Sequence, residues 1–232
     1  MGVVIDMHNY GAYNGIKIGA SGGVTASQFG AAWKVIASVI KAYPALLGYD
    51  LMNEPNKMPS STIWPAAAQA AVTAIRQTDT QTAVFVEGDS YASASSWQTV
   101  NGKLNIADPS SSIIYEAHVY GDRDSSGTHY VWNTEAANGV TVNTIAQRVS
   151  VFDGWCKSNN HMCIVGEIGV GIDSTNWNVE LKNGLAQMKK DGLLAAFYWA
   201  GGPWWGSNYP LSIEPVNGVA RPQMSVLSSF AN

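Results

Sequence analysis

A chain of 232 residues with 46% hydrophobic residues is long enough to fill one core and short for two, so it reads as a single domain over residues 1–232. A formal net charge of -4 with only 13% charged residues argues against nucleic acid or an anionic membrane surface, since both call for basic patches. No apolar run is long enough to span a membrane, and neutral ligands fit the balance best.

Residues 3–8 (VVIDMH) read as a buried parallel strand that ends in the polar His8, Asn9 and Tyr10. The glycine-rich loop 11–23 is long enough to be functional rather than connective. Thr25 to Ser27 offers a cap for a helix through about Tyr43, with Phe29, Trp33, Ile36, Val39 and Ile40 on one face, and Pro44 ends it. The stretch 48–55 (GYDLMNEP) begins as an apolar strand, turns polar, and delivers Asn53 and Glu54 just before a proline. A helix over 64–78 follows, then a strand over 83–88 carrying Glu87, and a serine-rich segment containing Trp97. Another strand at 113–118 leads into His118, Val119 and Tyr120. After the polar loop 121–139 come a helix over 141–158, a strand over 163–169 with Glu167 near its end, and a helix over 178–190. A last strand over 193–199 ends in Trp199, followed by a loop with Trp204 and Trp205 and a closing helix over 223–230.

Six strands alternating with helices predict a parallel sheet wrapped by helices. The strand ends carry His8, Asn53 and Glu54, Glu87, His118 and Tyr120, Glu167, and Trp199 in turn. Functional residue types gathered at the carboxyl ends of successive strands mark the active face of a (β/α) barrel. A lone strand-end glutamate is more often a solvated charge or a helix cap, but Glu54 and Glu167 stand in matching settings and suggest a carboxylate pair. No phosphate-binding or dinucleotide fingerprint occurs, which weighs against nucleotide chemistry.

Nine Trp and ten Tyr are many for this length, and their flat rings suit the faces of sugars; three or four of the nine Trp are expected to line a cleft while the rest pack the core. Cys156 and Cys163 flank a helix-to-strand turn, where a local disulfide and two buried thiols are both open. No Cys or His partner stands at metal-ligand spacing, and Asp122 and Asp124 read as a solvated loop rather than a cation site. The start of the chain shows no basic, cleavable leader, which is expected either of a chain whose signal peptide was removed or of a trimmed or partial reading frame.

Taken together, residues 6–10 (DMHNY), 51–55 (LMNEP), 116–120 (EAHVY), Gly166-Glu167 and Tyr198-Trp199 resemble, in order, the motifs of glycoside hydrolase family 5, the cellulase family of (β/α)8 barrels. The resemblance implies Glu54 as general acid/base and Glu167 as nucleophile of a retaining hydrolase. It further implies Asn53 at the sugar 2-hydroxyl, His8, His118 and Tyr120 as the polar wall, Tyr120 also touching the nucleophile, and Trp199 as a stacking floor. No cofactor or metal is implied. Trp97, Trp204 and Trp205 are candidates for further sugar platforms along a β-linked polysaccharide. An extracellular endo-β-1,4-glucanase is the leading expectation, with mannan, xylan or mixed-linkage glucan as other substrates and a non-catalytic carbohydrate-binding protein as the alternative.

The chain departs from that family in supplying six strands rather than eight. Its first strand matches the family's third, so the expected fold is a partial α/β barrel lacking the first two βα units. The family's Arg that buttresses the nucleophile has no match, since Arg76, Arg123, Arg148 and Arg221 fall in helices or loops. Two apolar sheet edges are left without their usual neighbours, an arrangement that calls for cover either by self-association, as in a homodimer through the exposed barrel edges, or by local rearrangement of the termini.

Overall fold

The computed structural model describes residues 1–231. Strand β1 (Val3–Asp6) leads into a small hairpin, β2 (Ala12–Tyr13) and β3 (Ile16–Lys17). Then come α1 (Ala26–Ile40), β4 (Leu46–Asp50), α2 (Ile63–Arg76), β5 (Ala83–Glu87), α3 (Trp97–Asn101) and β6 (Ile113–Tyr120). The remainder holds α4 (Trp132–Ala137), α5 (Thr144–Asn159), β7 (Met162–Gly169), α6 (Thr175–Asp191), β8 (Ala196–Tyr198) and α7 (Met224–Phe230). The six longer-range strands form one parallel sheet in the order β1-β4-β5-β6-β7-β8. Sequential order of this kind follows from right-handed crossovers repeated in one direction.

Four short elements escaped the periodicity reading. The hairpin β2–β3 lies inside the glycine-rich loop, and its two-residue turn, Asn14-Gly15, has positive φ at both positions, 49° and 77°. That is the backbone a tight β-hairpin requires, and the Asn-Gly pair was its signal in the sequence. Helices α3 and α4 span five and six residues, too few to show an amphipathic repeat.

The described residues cluster into two compact units, one of residues Met1–Glu116 with Ser158–Met162, the other of Ala117–Lys157 with Cys163–Asn232. In the first, α1 opens with a reciprocal capping box between Thr25 and Gln28. It lies so close to α2 that a Cβ on Gly30 would stand 2.7 Å from the Ala70 carbonyl oxygen. The alanines at 67, 68 and 71 of α2 are buried and make that approach feasible. Two buried indoles then tie helices to strand ends, because a buried N–H needs an acceptor. Trp33 Nε1 donates to the Leu51 carbonyl at 3.0 Å, and Trp64 Nε1 to the Glu87 carbonyl at 2.7 Å. Below them, Arg76 grips Asp108 with two parallel bonds of 2.7 and 2.9 Å.

Trp97 belongs to this core as well. It is 0% exposed within α3, so the expectation that it serves as a sugar platform is corrected: no face of its ring is open to a ligand.

In the second unit, Cys156 on α5 and Cys163 on β7 form a disulfide, with Cα atoms 6.4 Å apart. Trp132 and Trp177 meet edge to face at 4.9 Å, and Asp173 accepts from the Trp132 backbone N–H and from Trp177 Nε1. The loop after β6 is organised by the Asp122 carboxylate, which accepts from the backbone N–H groups of Gly127, Thr128 and His129 at 3.0–3.1 Å and from Ser126 Oγ. His129 Nδ1 lies 3.1 Å from the same carboxylate. Asp122, Asp124 and His129 come close enough for a cation, but Asp122 already spends its oxygens on the turn, so its role is read as structural.

Candidate active site

Each unit carries part of the expected site at strand carboxyl ends. In the first unit, the end of β1 presents Asp6, His8 and Tyr10. His8 Nδ1 lies 2.8 Å from Asp6 Oδ2, and the Tyr10 hydroxyl lies 3.3 Å from His8 Nε2. A carboxylate on Nδ1 fixes the ring's orientation and leaves Nε2 facing Tyr10. The backbone of Asn53 bridges back to this strand end, donating to the Met7 carbonyl and accepting from Tyr10 N–H, both at 3.0 Å. Asn53 itself is buried.

Glu54 follows with φ of +47°, a left-handed conformation that non-glycine residues seldom adopt. Its backbone N–H donates to Glu87 Oε2 at 2.6 Å. Asn56 Nδ2 in turn donates to the Glu54 carbonyl at 3.0 Å. The residue is thus held by its backbone in a strained geometry by hydrogen bonds on both sides, a pattern typical of functional positions. Glu87 is the partner that sequence reasoning placed at a strand end without assigning it this task. Lys17, from the β3 strand, donates to the Tyr10 carbonyl at 2.6 Å and stiffens the same loop; burial lowers its pKa.

In the second unit, Glu167 near the end of β7 is 8% exposed. The Tyr120 hydroxyl donates to its Oε2 in a short bond, and His118 Nδ1 stands 3.4 Å from the same oxygen. Donors aimed at a carboxylate favour its charged form. Tyr120 reaches this position between two glycines. A Cβ on Gly169 would stand 2.9 Å from its ring, and one on Gly127, at φ +66°, 2.6 Å from it. Any side chain at either position would displace the ring that holds Glu167.

Trp199 follows β8 and belongs to an aromatic group that the sequence only partly revealed. Its Nε1 donates to the Tyr209 hydroxyl at 3.0 Å. Trp205 meets Trp199 edge to face at 5.0 Å and stacks on Tyr209 at 4.7 Å. Burial raises the Tyr209 pKa to about 12, so its hydroxyl stays protonated at working pH. Trp204 points outward at 88% exposure. Of the nine Trp, the six at 33, 64, 97, 132, 155 and 177 are buried, and those at 199, 204 and 205 are the ones with open faces. Tyr209 was missed because it lies ten residues past Trp199, where only the aromatic richness of the loop hinted at it.

Parallel strands that alternate with helices and carry acid, histidine and aromatic side chains at their carboxyl ends define a protein of the (β/α)-barrel class, here a partial barrel of six strands. The sequence model of the cellulase family, glycosyl hydrolase family 5, matches residues 1–204, and the chain belongs to that family. The probable endo-beta-1,4-glucanase B of Aspergillus oryzae is 34% identical over 98% of this chain and 65% of its own length. Endo-beta-1,4-glucanase B of Emericella nidulans is 33% identical over 99% of this chain and 66% of its own. Among solved structures, Pseudomonas stutzeri endoglucanase Cel5A in complex with cellobiose has a TM-score of 0.92 at 40% identity, covering 100% of this chain and 68% of that one. XacCel5A in complex with cellopentaose gives 0.90 at 32% identity, covering 99% and 73%. The chain therefore spans about two thirds of the length of the curated relatives it matches.

Proposed function

We propose that this chain is an endo-acting β-1,4-glucanase that cleaves its substrate with retention of configuration, residues 1–232 working as one catalytic domain. The observation that carries the reading is the Glu167 carboxylate gripped by Tyr120 and His118 at a strand end, in a member of family 5. In this mechanism Glu167 attacks the anomeric carbon while Glu54 gives its proton to the departing glycosidic oxygen, leaving a covalent glycosyl-enzyme. Glu54, now ionised, takes a proton from water as that water attacks the same carbon, which releases Glu167 and restores both groups. Asn53 is assigned to the sugar 2-hydroxyl, His8, His118 and Tyr120 to the polar wall, and Trp199 to the stacking floor. Trp204 and Trp205 extend the aromatic surface for a longer chain. The chemistry needs no cofactor.

The relatives' complexes with cellobiose and cellopentaose support a β-1,4-glucan as substrate. The Cys156–Cys163 disulfide supports an extracellular setting, where such bonds persist. Self-association through free sheet edges is supported by β1 and β8 standing at the two ends of the sheet order, with Val3, Leu194 and Phe197 exposed.

The test is release of reducing sugar from carboxymethyl-cellulose and from β-mannan, beside Glu54→Ala and Glu167→Ala. Activity on the cellulose derivative that is lost in both variants is the expected result. Activity on mannan alone would move the substrate class, and a folded chain that binds glucan without cleaving it would make this a carbohydrate-binding protein.

A further inference from the structure

The Tyr120 hydroxyl donates to Glu167 Oε2, and a donor that is to orient a reacting carboxylate must itself be held still. Tyr120 is the last residue of β6, and the chain turns sharply beyond it. Its ring is confined by Gly127 and Gly169, but confinement alone does not fix where the strand end lies. The carbonyls of residues 120, 122 and 123 converge on one cation, the guanidinium of Arg148, which rises from α5. Arg148 Nη1 donates to the Tyr120 carbonyl at 2.5 Å and to the Asp122 carbonyl at 2.6 Å, and Nη2 donates to the Arg123 carbonyl at 3.0 Å. A planar fork with several fixed donors can close three carbonyls at once, whereas a lysine ammonium is a single point charge on a flexible stem.

We propose that Arg148 is a positioning residue for the Glu167 carboxylate, acting through the Tyr120 backbone to aim the Tyr120 hydroxyl. The inference rests on the catalytic reading of Glu167 given above. It gives the task of holding the strand end to a residue whose hydrogen bonds go to the backbone of residues 120, 122 and 123. The surroundings fit a structural cation. Burial works against the charge on Arg148, and Asp122 above all offsets it, with the fully buried Glu180 on α6 and the exposed Asp124 adding to that. Gly121 sits against Glu180, where a Cβ would stand 2.7 Å from Oε2, so the turn, the cation and the buried acid are packed as one block.

The experiment compares Arg148→Lys and Arg148→Gln with the wild type, at a temperature well below the measured melting point of each. Arg148→Gln should lower kcat on a soluble β-1,4-glucan on the order of ten- to a hundredfold with KM changed less than about twofold, since the interaction lost orients a reacting group. The acid limb of its pH–rate profile should move to higher pH, because a nucleophile with a misaligned donor is harder to ionise. Arg148→Lys should restore part of kcat. A lowered melting point with kcat and the acid limb unchanged would reduce Arg148 to a stability role and overturn the proposal. A rise confined to KM would do the same.

A second readout does not depend on turnover. With 3-fluorotyrosine incorporated, the Tyr120 resonance, assigned by Tyr120→Phe, should shift or broaden in Arg148→Gln. If the wild type proves inactive on glucan, the catalytic reading fails, while this resonance still decides the positioning claim: displaced, it stands, and unmoved, it falls.

Discussion

At the scale of single residues, burial decides which aromatic and acidic side chains serve the fold and which remain free for a ligand. Trp97 and Trp199 are the same side chain in opposite situations. Trp97→Ala should destabilise the protein by about 3–5 kcal/mol, the usual result of removing a fully buried large ring, and leave KM of the folded fraction unchanged. Trp199→Ala should melt close to the wild type and raise KM on the order of tenfold, because a half-open ring contributes stacking rather than core. Chemical denaturation and steady-state kinetics on the two variants check the contrast; equal effects on stability would show that the aromatic group around Trp199 is part of the core. Glu180 gives a pH prediction. Burial raises its pKa from 4.5 to about 8 in the folded protein, opposed by Arg148. A raised carboxyl pKa means that the folded state binds the extra proton, so its contribution to stability is complete below pH 4.5 and is lost as pH rises through about 8. Glu180→Gln should therefore flatten the fall in melting temperature between pH 5 and pH 8, as calorimetry at several pH values would detect.

At the scale of elements, the helices act as clamps on strand ends. The indoles of Trp33 on α1 and Trp64 on α2 donate to carbonyls of Leu51 and Glu87, which fixes the segments leading to Asn53 and the residue that holds the Glu54 backbone. The disulfide does comparable work at the junction of α5 and β7. It closes a separation of only seven residues, so the chain-entropy contribution is modest, about 2–3 kcal/mol. The double variant Cys156→Ser/Cys163→Ser should lose about that much stability by denaturant titration. Since β7 carries Glu167 at its far end, activity of the folded double variant should remain close to that of the wild type.

At the scale of the whole molecule, the sheet ends in β1 on one side and β8 on the other, and both edges leave apolar residues in water. Sedimentation velocity over a hundredfold range of concentration should show a mass that rises toward twice 24.7 kDa. A single compact species at 24.7 kDa throughout would remove the dimer from the proposal. Replacing Leu194, which is exposed beside β8, with lysine should weaken the association if that edge takes part.

The alternation of strands and helices was legible because each long element repeats its apolar residues with the period of its backbone, and the candidate site motifs stood out because they sit where apolar strand turns into polar loop. Residues 51–55 and 116–120 therefore announced themselves, as did Glu167. What escaped was whatever depends on residues distant in the chain or on elements too short to repeat. Trp97 carries no mark in the sequence that separates it from Trp205, for only packing reveals which ring is enclosed. The bond from Glu54 N–H to Glu87 joins residues 33 apart, and the grip of Arg148 on the Tyr120 carbonyl joins residues 28 apart. Sequence by itself determined the parallel α/β framework and the chemistry offered at its strand ends, since period and polarity are local properties. Tertiary structure alone decided which groups hold those side chains in place, because a hydrogen-bond partner is selected by proximity in space.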